Sequence, residues 1–136
     1  MWLYNDVLVE DADLDNHLGF VYEIENLVTG KRYIGKKLLL HRKTRQVKGK
    51  KKKYLAESDW KTYWGSSKKL LEDIDIHGEE NFKRTILVWC KSKGEANYLE
   101  LYFQMKNNVL LDENYYNDFV GVKIHSRHVK NVKTPK

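Results

Sequence analysis

One cysteine, one proline and no apolar run near the ~20 residues that span a bilayer set the first limits on this 136-residue chain. The lone thiol, Cys90, excludes an internal disulfide and a cysteine-built zinc site. Placed at the end of Thr85-Ile-Leu-Val-Trp-Cys90, it reads as a buried core group. The lone proline, Pro135, lies in a basic end expected to fray. Met1 is followed by an acidic stretch, not by the charged-then-apolar start of a secretory leader. A cytoplasmic protein with no membrane span is therefore expected. Hydrophobic residues make up 41% of the chain, enough for one compact domain over residues 1–136 and not for two.

Charge is missing in two places, and the gaps are complementary. No lysine or arginine precedes Lys31, whereas that segment holds seven acids. From Lys31 to Lys53 there are twelve Lys or Arg and no acid, although the net charge is only +6. Such clustering is the footprint of a polyanionic partner. A membrane surface fits poorly, because Lys48 to Lys53 has no interleaved apolar face. Asp11, Asp13 and Asp15 alternate as in a calcium loop, but Asn16 and Tyr22 stand where glycine and glutamate are required. These acids read as surface, or as a shield facing away from nucleic acid.

The regular elements follow from patterning. Residues 1–18 form an acidic N-terminal segment in which Trp2 to Tyr4 and Val7 to Val9 have strand character. Phe20, Val21, Tyr22 and Ile24, then Tyr33 and Ile34, are β-formers around the turn-rich Asn26 to Lys31, which predicts a β-hairpin. Lys36 to Arg45 is expected to be a short helix carrying Leu38, Leu39 and Leu40 inward. Residues 46–53 are expected to be a mobile basic loop. Ser58 is a possible cap for a turn bearing Trp60 and Trp64. A helix from about Ser67 to His77 follows, capped by Ser66 or Ser67 and stopped by Gly78. Asn81 to Cys90 reads as a central strand. Ser92 and Glu95 form a capping box opening a helix to about Lys106. The end of the chain, with Val109 to Leu111, Tyr115 to Asn117 and Val120 to Ile124, is expected to add an edge strand or pack across the core, and residues 118–136 form a C-terminal tail.

The hairpin carries the chemistry-bearing pattern. It brings Tyr22 and Tyr33 toward one spot and ends in Tyr33-Ile34-Gly35. With Phe20-Val21-Tyr22 as first triplet, this resembles the GIY-YIG nuclease superfamily. The stretch Trp60 to Ser67, with Gly78 and Asn81 to Arg84, looks like its phage-encoded, free-standing, homing-endonuclease-like members. The resemblance covers a core of about residues 19–117. It implies an α+β fold: a small three-stranded, mainly antiparallel sheet flanked by helices.

It also implies metal-dependent endonucleolytic hydrolysis of DNA, leaving 5′-phosphate and 3′-hydroxyl ends, with an RNA-directed nuclease of the same chemistry as the alternative. Tyr22 and Tyr33 would orient, or with nearby cations deprotonate, the attacking water. Glu100, bordering the apolar stripe of the capping-box helix, would be the metal ligand, for Mg²⁺ or Mn²⁺. Asn117 matches a family asparagine near the site. The phosphate-gripping arginine is expected at Arg42, with Arg45 second and Lys36 or Lys37 as substitutes. Lys36, Lys37, Lys43, Arg45, Lys48, Lys50, Lys51, Lys52 and Lys53 form the expected DNA-binding set. The lysine cluster should contact phosphates and not bases, since lysine offers charge without directional pattern. Duplex DNA is the expected partner, bound by a monomer or a homodimer. An idle binding module of the same fold is the competing reading, as is a small basic interaction protein.

Overall fold

The computed structural model describes residues 1–121, 126–128 and 131–135. Seven strands and two α-helices run in chain order: β1 (Trp2–Tyr4), β2 (Val7–Val9), β3 (Gly19–Asn26), β4 (Arg32–Leu38), β5 (Leu40–Val47), β6 (Lys50–Glu57), α1 (Lys68–His77), β7 (Phe82–Cys90) and α2 (Lys93–Lys106). The fold is α+β, but the main sheet has five strands in the order β2-β1-β7-β3-β4, where three were expected. The expected three are β7, β3 and β4. The other two come from the N-terminal segment, which turns at Asn5 and Asp6, both at positive φ, and lays β1 parallel to β7. Burial of Trp2 drives this docking: its side chain is 1% exposed and its indole N–H donates to the Trp60 carbonyl at 2.7 Å.

β3 is an interior strand, apolar along its α1 face, with Val21, Glu23 and Glu25 on the other. Phe20, Tyr22 and Ile24 join Trp60, Leu70 and Ile74 in one core on the α1 side. Val21 joins Ile34, Cys90, Ala96 and Leu99 in a second core on the α2 side. Cys90 is buried, which pushes its thiol up to about 12. Both helix starts are capped as their sequences indicate, Ser67 accepting from the Leu70 N–H and Ser92 from the Glu95 N–H.

The expected helix over Lys36 to Arg45 does not form, and residues 46–53 are not a loop. β4 continues to Leu38, and β5 and β6 make a separate two-stranded ribbon. Lys48 and Gly49, at φ 52° and 77°, supply the two left-handed residues of a tight hairpin turn. Strand alternation explains the leucine triplet: Leu39 alone is fully buried, while its neighbours are half-exposed. Leu39 donates to the Leu18 carbonyl and accepts from the Ser58 N–H, so the ribbon is fixed at its root.

The tail covers the β4 edge through a parallel bridge between Arg32 and Tyr115. Beyond it, Val132 packs on the α2-side core and the Pro135 carbonyl accepts from the Tyr102 hydroxyl at 3.0 Å, so this end is held and not frayed. The strand expected over Val120 to Ile124 lies largely outside the described residues.

Tyr22 stands directly opposite Gly35 in the β3–β4 register, at a point where β7 bulges against β3. A Cβ on Gly35 would sit 2.6 Å from the Tyr22 hydroxyl oxygen and 2.9 Å from the Tyr33 ring. Glycine there is a packing requirement. Gly35→Ala should lower unfolding free energy by about 1–3 kcal/mol, the usual cost of overpacking. Urea denaturation checks this, and wild-type stability would mean the Tyr22 ring has room to move.

Candidate active site

An open pocket of about 450 Å³ lies beside β4, between residues of both helical layers and the segment 116–121 that covers the strand's edge. From the α1 side come Tyr22, Tyr33, Ser66, Ser67 and Lys68; from the α2 side come Lys36, Glu100 and Gln104. Alternation along β4 explains the split. Tyr33 and Gly35 face one layer, Ile34 and Lys36 the other.

The two tyrosines occupy unequal positions. Tyr22 is 1% exposed, and burial pushes its phenol well above the ordinary value, with Tyr33, Tyr63 and Glu100 acting in the same direction. Tyr33 is half-buried, its ring centroid 6.2 Å from that of Tyr22, and its hydroxyl lies 3.4 Å from Ser66 Oγ. Burial raises its phenol as well, partly offset by Ser66. Both groups are therefore protonated at neutral pH. The cationic field expected to favour phenolate is absent, because the basic run is carried off in the ribbon.

Glu100 is mounted on α2 with a side chain only 16% exposed, 3.9 Å from Lys36 Nζ. Burial raises its carboxyl, while the Lys36 ammonium pulls it back down. Lys36 also donates to Asn97 Oδ1. One turn beyond Glu100, buried Gln104 donates from Nε2 to the Ile34 carbonyl at 3.1 Å, leaving Oε1 without a partner. The amide cannot be reversed, since Ile34 offers only an acceptor there.

Asn117 is buried, and both ends of its amide are in use. Oδ1 accepts from the Ile34 N–H at 3.1 Å and Nδ2 donates to the Ile34 carbonyl at 2.8 Å. It lines the pocket but holds the strand between Tyr33 and Gly35.

The expected cations divide. Lys36 lines the pocket. Lys37 is turned inward, 2.6 Å from Asp59 and over the Tyr63 ring at 4.1 Å. Arg42, Lys43, Arg45, Lys48 and Lys50 to Lys53 are all exposed on the ribbon, and none lines the pocket. Arg42 is thus not on a helix beside the second triplet, because the cross-strand partner Leu55 holds it in a β-ladder. The helix that does reach Tyr33 is α1, with Lys68 in its first turn.

Sequence reasoning missed Ser66, Lys68, Tyr63 and Gln104. The Trp60 to Ser67 stretch was a usable signal for Tyr63 and Ser66, and Lys68 follows it directly. For Gln104 the signal was a polar residue four positions after Glu100 within an apolar helix face.

A family model described as "Putative endonuclease segE, GIY-YIG domain" matches residues 2–120. The chain belongs to the GIY-YIG endonuclease family. A curated relative, "Putative endonuclease segE" of Enterobacteria phage T4, is 36% identical over 98 residues, which cover 72% of this chain and 39% of the relative. The chain thus spans well under half of that protein. No solved structure matches it. No helix among the described residues is long and apolar enough to cross a membrane.

The groups lining the pocket that could hold a metal are oxygens: the Glu100 and Asp118 carboxylates, the Ser66, Ser67 and tyrosine hydroxyls, and the amide oxygens of Asn117 and Gln104, of which Gln104 Oε1 is the orphan. Among the described residues no three His, Cys, Asp or Glu groups cluster as a metal cage. That donor set fits a hydrated hard cation such as Mg²⁺ and not a zinc site. Carboxyl ¹³C titration should place the Glu100 midpoint above the ordinary glutamate value. Lys36→Met should move it higher still, because the cation that favours the carboxylate is removed. A midpoint unmoved by that change would show that the two side chains do not meet.

Proposed function

We propose that this chain is a metal-dependent endonuclease that hydrolyses phosphodiester bonds of duplex DNA in the β4-edge pocket. The observation that supports this most strongly is the convergence of Tyr33, Lys36, Glu100 and the α1 N-terminus on one opening. A phosphodiester needs positive charge on its non-bridging oxygens, an aligned water and help for the leaving oxygen. The Lys36 ammonium and the first N–H groups of α1, which have no acceptor within the helix, supply the first. Lys68 adds a cation on that side.

Tyr33, half-buried at the pocket wall and protonated, orients the attacking water through its hydroxyl. Tyr22 is too buried to reach solvent freely; it fixes the Tyr33 ring and the Tyr63 segment, and so acts as a positioning residue. Asn117 positions β4 in the same sense. Glu100 would hold Mg²⁺ or Mn²⁺, with Gln104 Oε1 accepting from its hydration water. When bound, the ion neutralises phosphate charge and lowers the pKa of coordinated water. Arg42 and Arg45, the sequence candidates for gripping the scissile phosphate, fit better as contacts to flanking duplex. The products would be 5′-phosphate and 3′-hydroxyl ends, made in the cytoplasm of a host cell.

Incubation with supercoiled plasmid and Mg²⁺ or Mn²⁺ tests the reading. Glu100→Ala should abolish metal-dependent cutting with DNA affinity largely kept. Tyr33→Phe should slow single-turnover cleavage by roughly 10²-fold or more, the usual size of lost acid–base or water-positioning help. Undiminished cutting by Glu100→Ala, or by wild type in excess chelator, rules out the metal site. Tight plasmid binding without cutting by wild type in either metal would make the chain an idle binding module.

A further inference from the structure

We propose that the β5–β6 ribbon enters the major groove of B-form DNA and reads base edges with one face, through Arg42, Thr44 and Gln46. The choice of duplex DNA as partner rests on the nuclease reading above; the reading face rests on the ribbon itself.

Its register sorts the side chains. Residues directly opposite in an antiparallel pair share a face. Arg42 pairs with Leu55, Thr44 with Lys53 and Gln46 with Lys51, so these six lie together. Lys43 pairs with Tyr54, Arg45 with Lys52 and Val47 with Lys50 on the other face, where the Arg45 guanidinium stacks over Tyr54 at 5.3 Å. The two faces differ in chemistry. One carries four cations, and its only directional group, the Arg45 guanidinium, is taken up on Tyr54; the other carries three, Arg42, Lys51 and Lys53. That second face holds the side-chain types that form directional pairs in the major groove: arginine with guanine, glutamine with adenine, threonine with either partner type. It also exposes 56% of Leu55, an apolar surface suited to a thymine methyl.

The dimensions agree. A two-stranded ribbon fits a groove about 12 Å wide. Alternate residues on a strand are ~6.8 Å apart, which equals two base-pair rises of ~3.4 Å. Arg42, Thr44 and Gln46 can therefore meet every second base pair. Nothing in the described protein covers this face, and none of the ribbon's eight Lys and Arg forms an ion pair there. The A-form RNA groove is too deep and narrow for such an element. The root at Leu39 ties the ribbon rigidly to β4, and Leu40 is four residues, ~14 Å of strand, from Lys36. Base preference should therefore fall within about one helical turn of the cut.

The test is selection of random-sequence duplexes about three helical turns long by the full chain in chelator, so that binding is read without cleavage. Wild type should enrich a short motif. The variant Arg42→Ala/Thr44→Ala/Gln46→Ala should lose that preference, roughly tenfold per directional contact, while its salt slope drops by no more than ~0.9. Replacing Lys43, Arg45, Lys50 and Lys52 by serine should weaken all sequences alike and flatten the slope by up to ~3.6. Arg42→Lys, which keeps charge and fold, should relax preference at one position only. No enriched motif, unchanged preference in the triple variant, or equal affinity for an RNA duplex would overturn the proposal. Plasmid cutting with no motif would sink this inference alone; a motif without cutting would sink the nuclease reading alone.

Discussion

The peptide group of Ile34 is the point on which the site depends. β4 is an edge strand, so its outward N–H and C=O groups have no ladder partner, and leaving them buried and unpaired would cost about 1–3 kcal/mol each. Asn117 satisfies both from the tail, as a neighbouring strand would, and Gln104 adds a second donor to the carbonyl from α2. Three separate parts of the chain thereby meet at one residue. Tyr33 and Gly35 are its immediate neighbours, and Glu100 lies one helical turn before Gln104. These backbone hydrogen bonds set where phenol, ammonium and carboxylate start from, and the Tyr33–Ser66, Lys36–Asn97 and Lys36–Glu100 contacts complete their placement.

A second constraint works from the other side of the sheet. Arg84 is buried between Trp2 and Trp64, 4.6 and 4.2 Å from their rings, and donates to the Tyr63 and Lys61 carbonyls. Burial lowers its guanidinium to about 10, still charged at neutral pH. It pins the segment that carries Tyr63 and Gly65 over Tyr22. Gly65, at φ 91°, approaches both phenols where a side chain would be strained. Tyr22 is held by glycines above and below, which suits an orienting group better than one that must move protons to solvent.

What the sequence disclosed depended on whether burial wrote a period into it. The β3–β4 hairpin, α1 and α2 were legible because apolar spacing and the capping serines Ser67 and Ser92 agree with the fold. The N-terminal strands were half legible: Trp2 and Val7 to Val9 had strand character, but the Asn5-Asp6 turn was the only clue that they pair. The ribbon was illegible by that route. Its strands bury almost nothing, so no alternation of apolar and polar residues marks them, and Leu38-Leu39-Leu40 imitates a helical core face. Only Lys48-Gly49, a poor copy of the usual Asn-Gly turn, announced it. In the candidate site, Tyr33, Glu100 and Asn117 were named through the family resemblance, whereas Gln104, which acts through a backbone contact, was not.

The separation of the cations from the pocket has an electrostatic consequence. None of the ribbon's cations lines the pocket, and none is among the groups that shift Tyr22, Tyr33 or Glu100. The ribbon's charges therefore attract a polyanion without setting the protonation of the pocket. Had Lys43 to Lys53 folded back over Tyr33 as a helix and loop, the phenols and Glu100 would have been driven toward their anionic forms. With the ribbon extended, burial governs instead. The tyrosines stay neutral and Glu100 is balanced between desolvation and a single ammonium, Lys36. Binding strength is thus adjustable along the ribbon while the charge of the pocket is left to the side chains that line it, Lys36 and Glu100 on one side and Lys68 and Asp118 on the other.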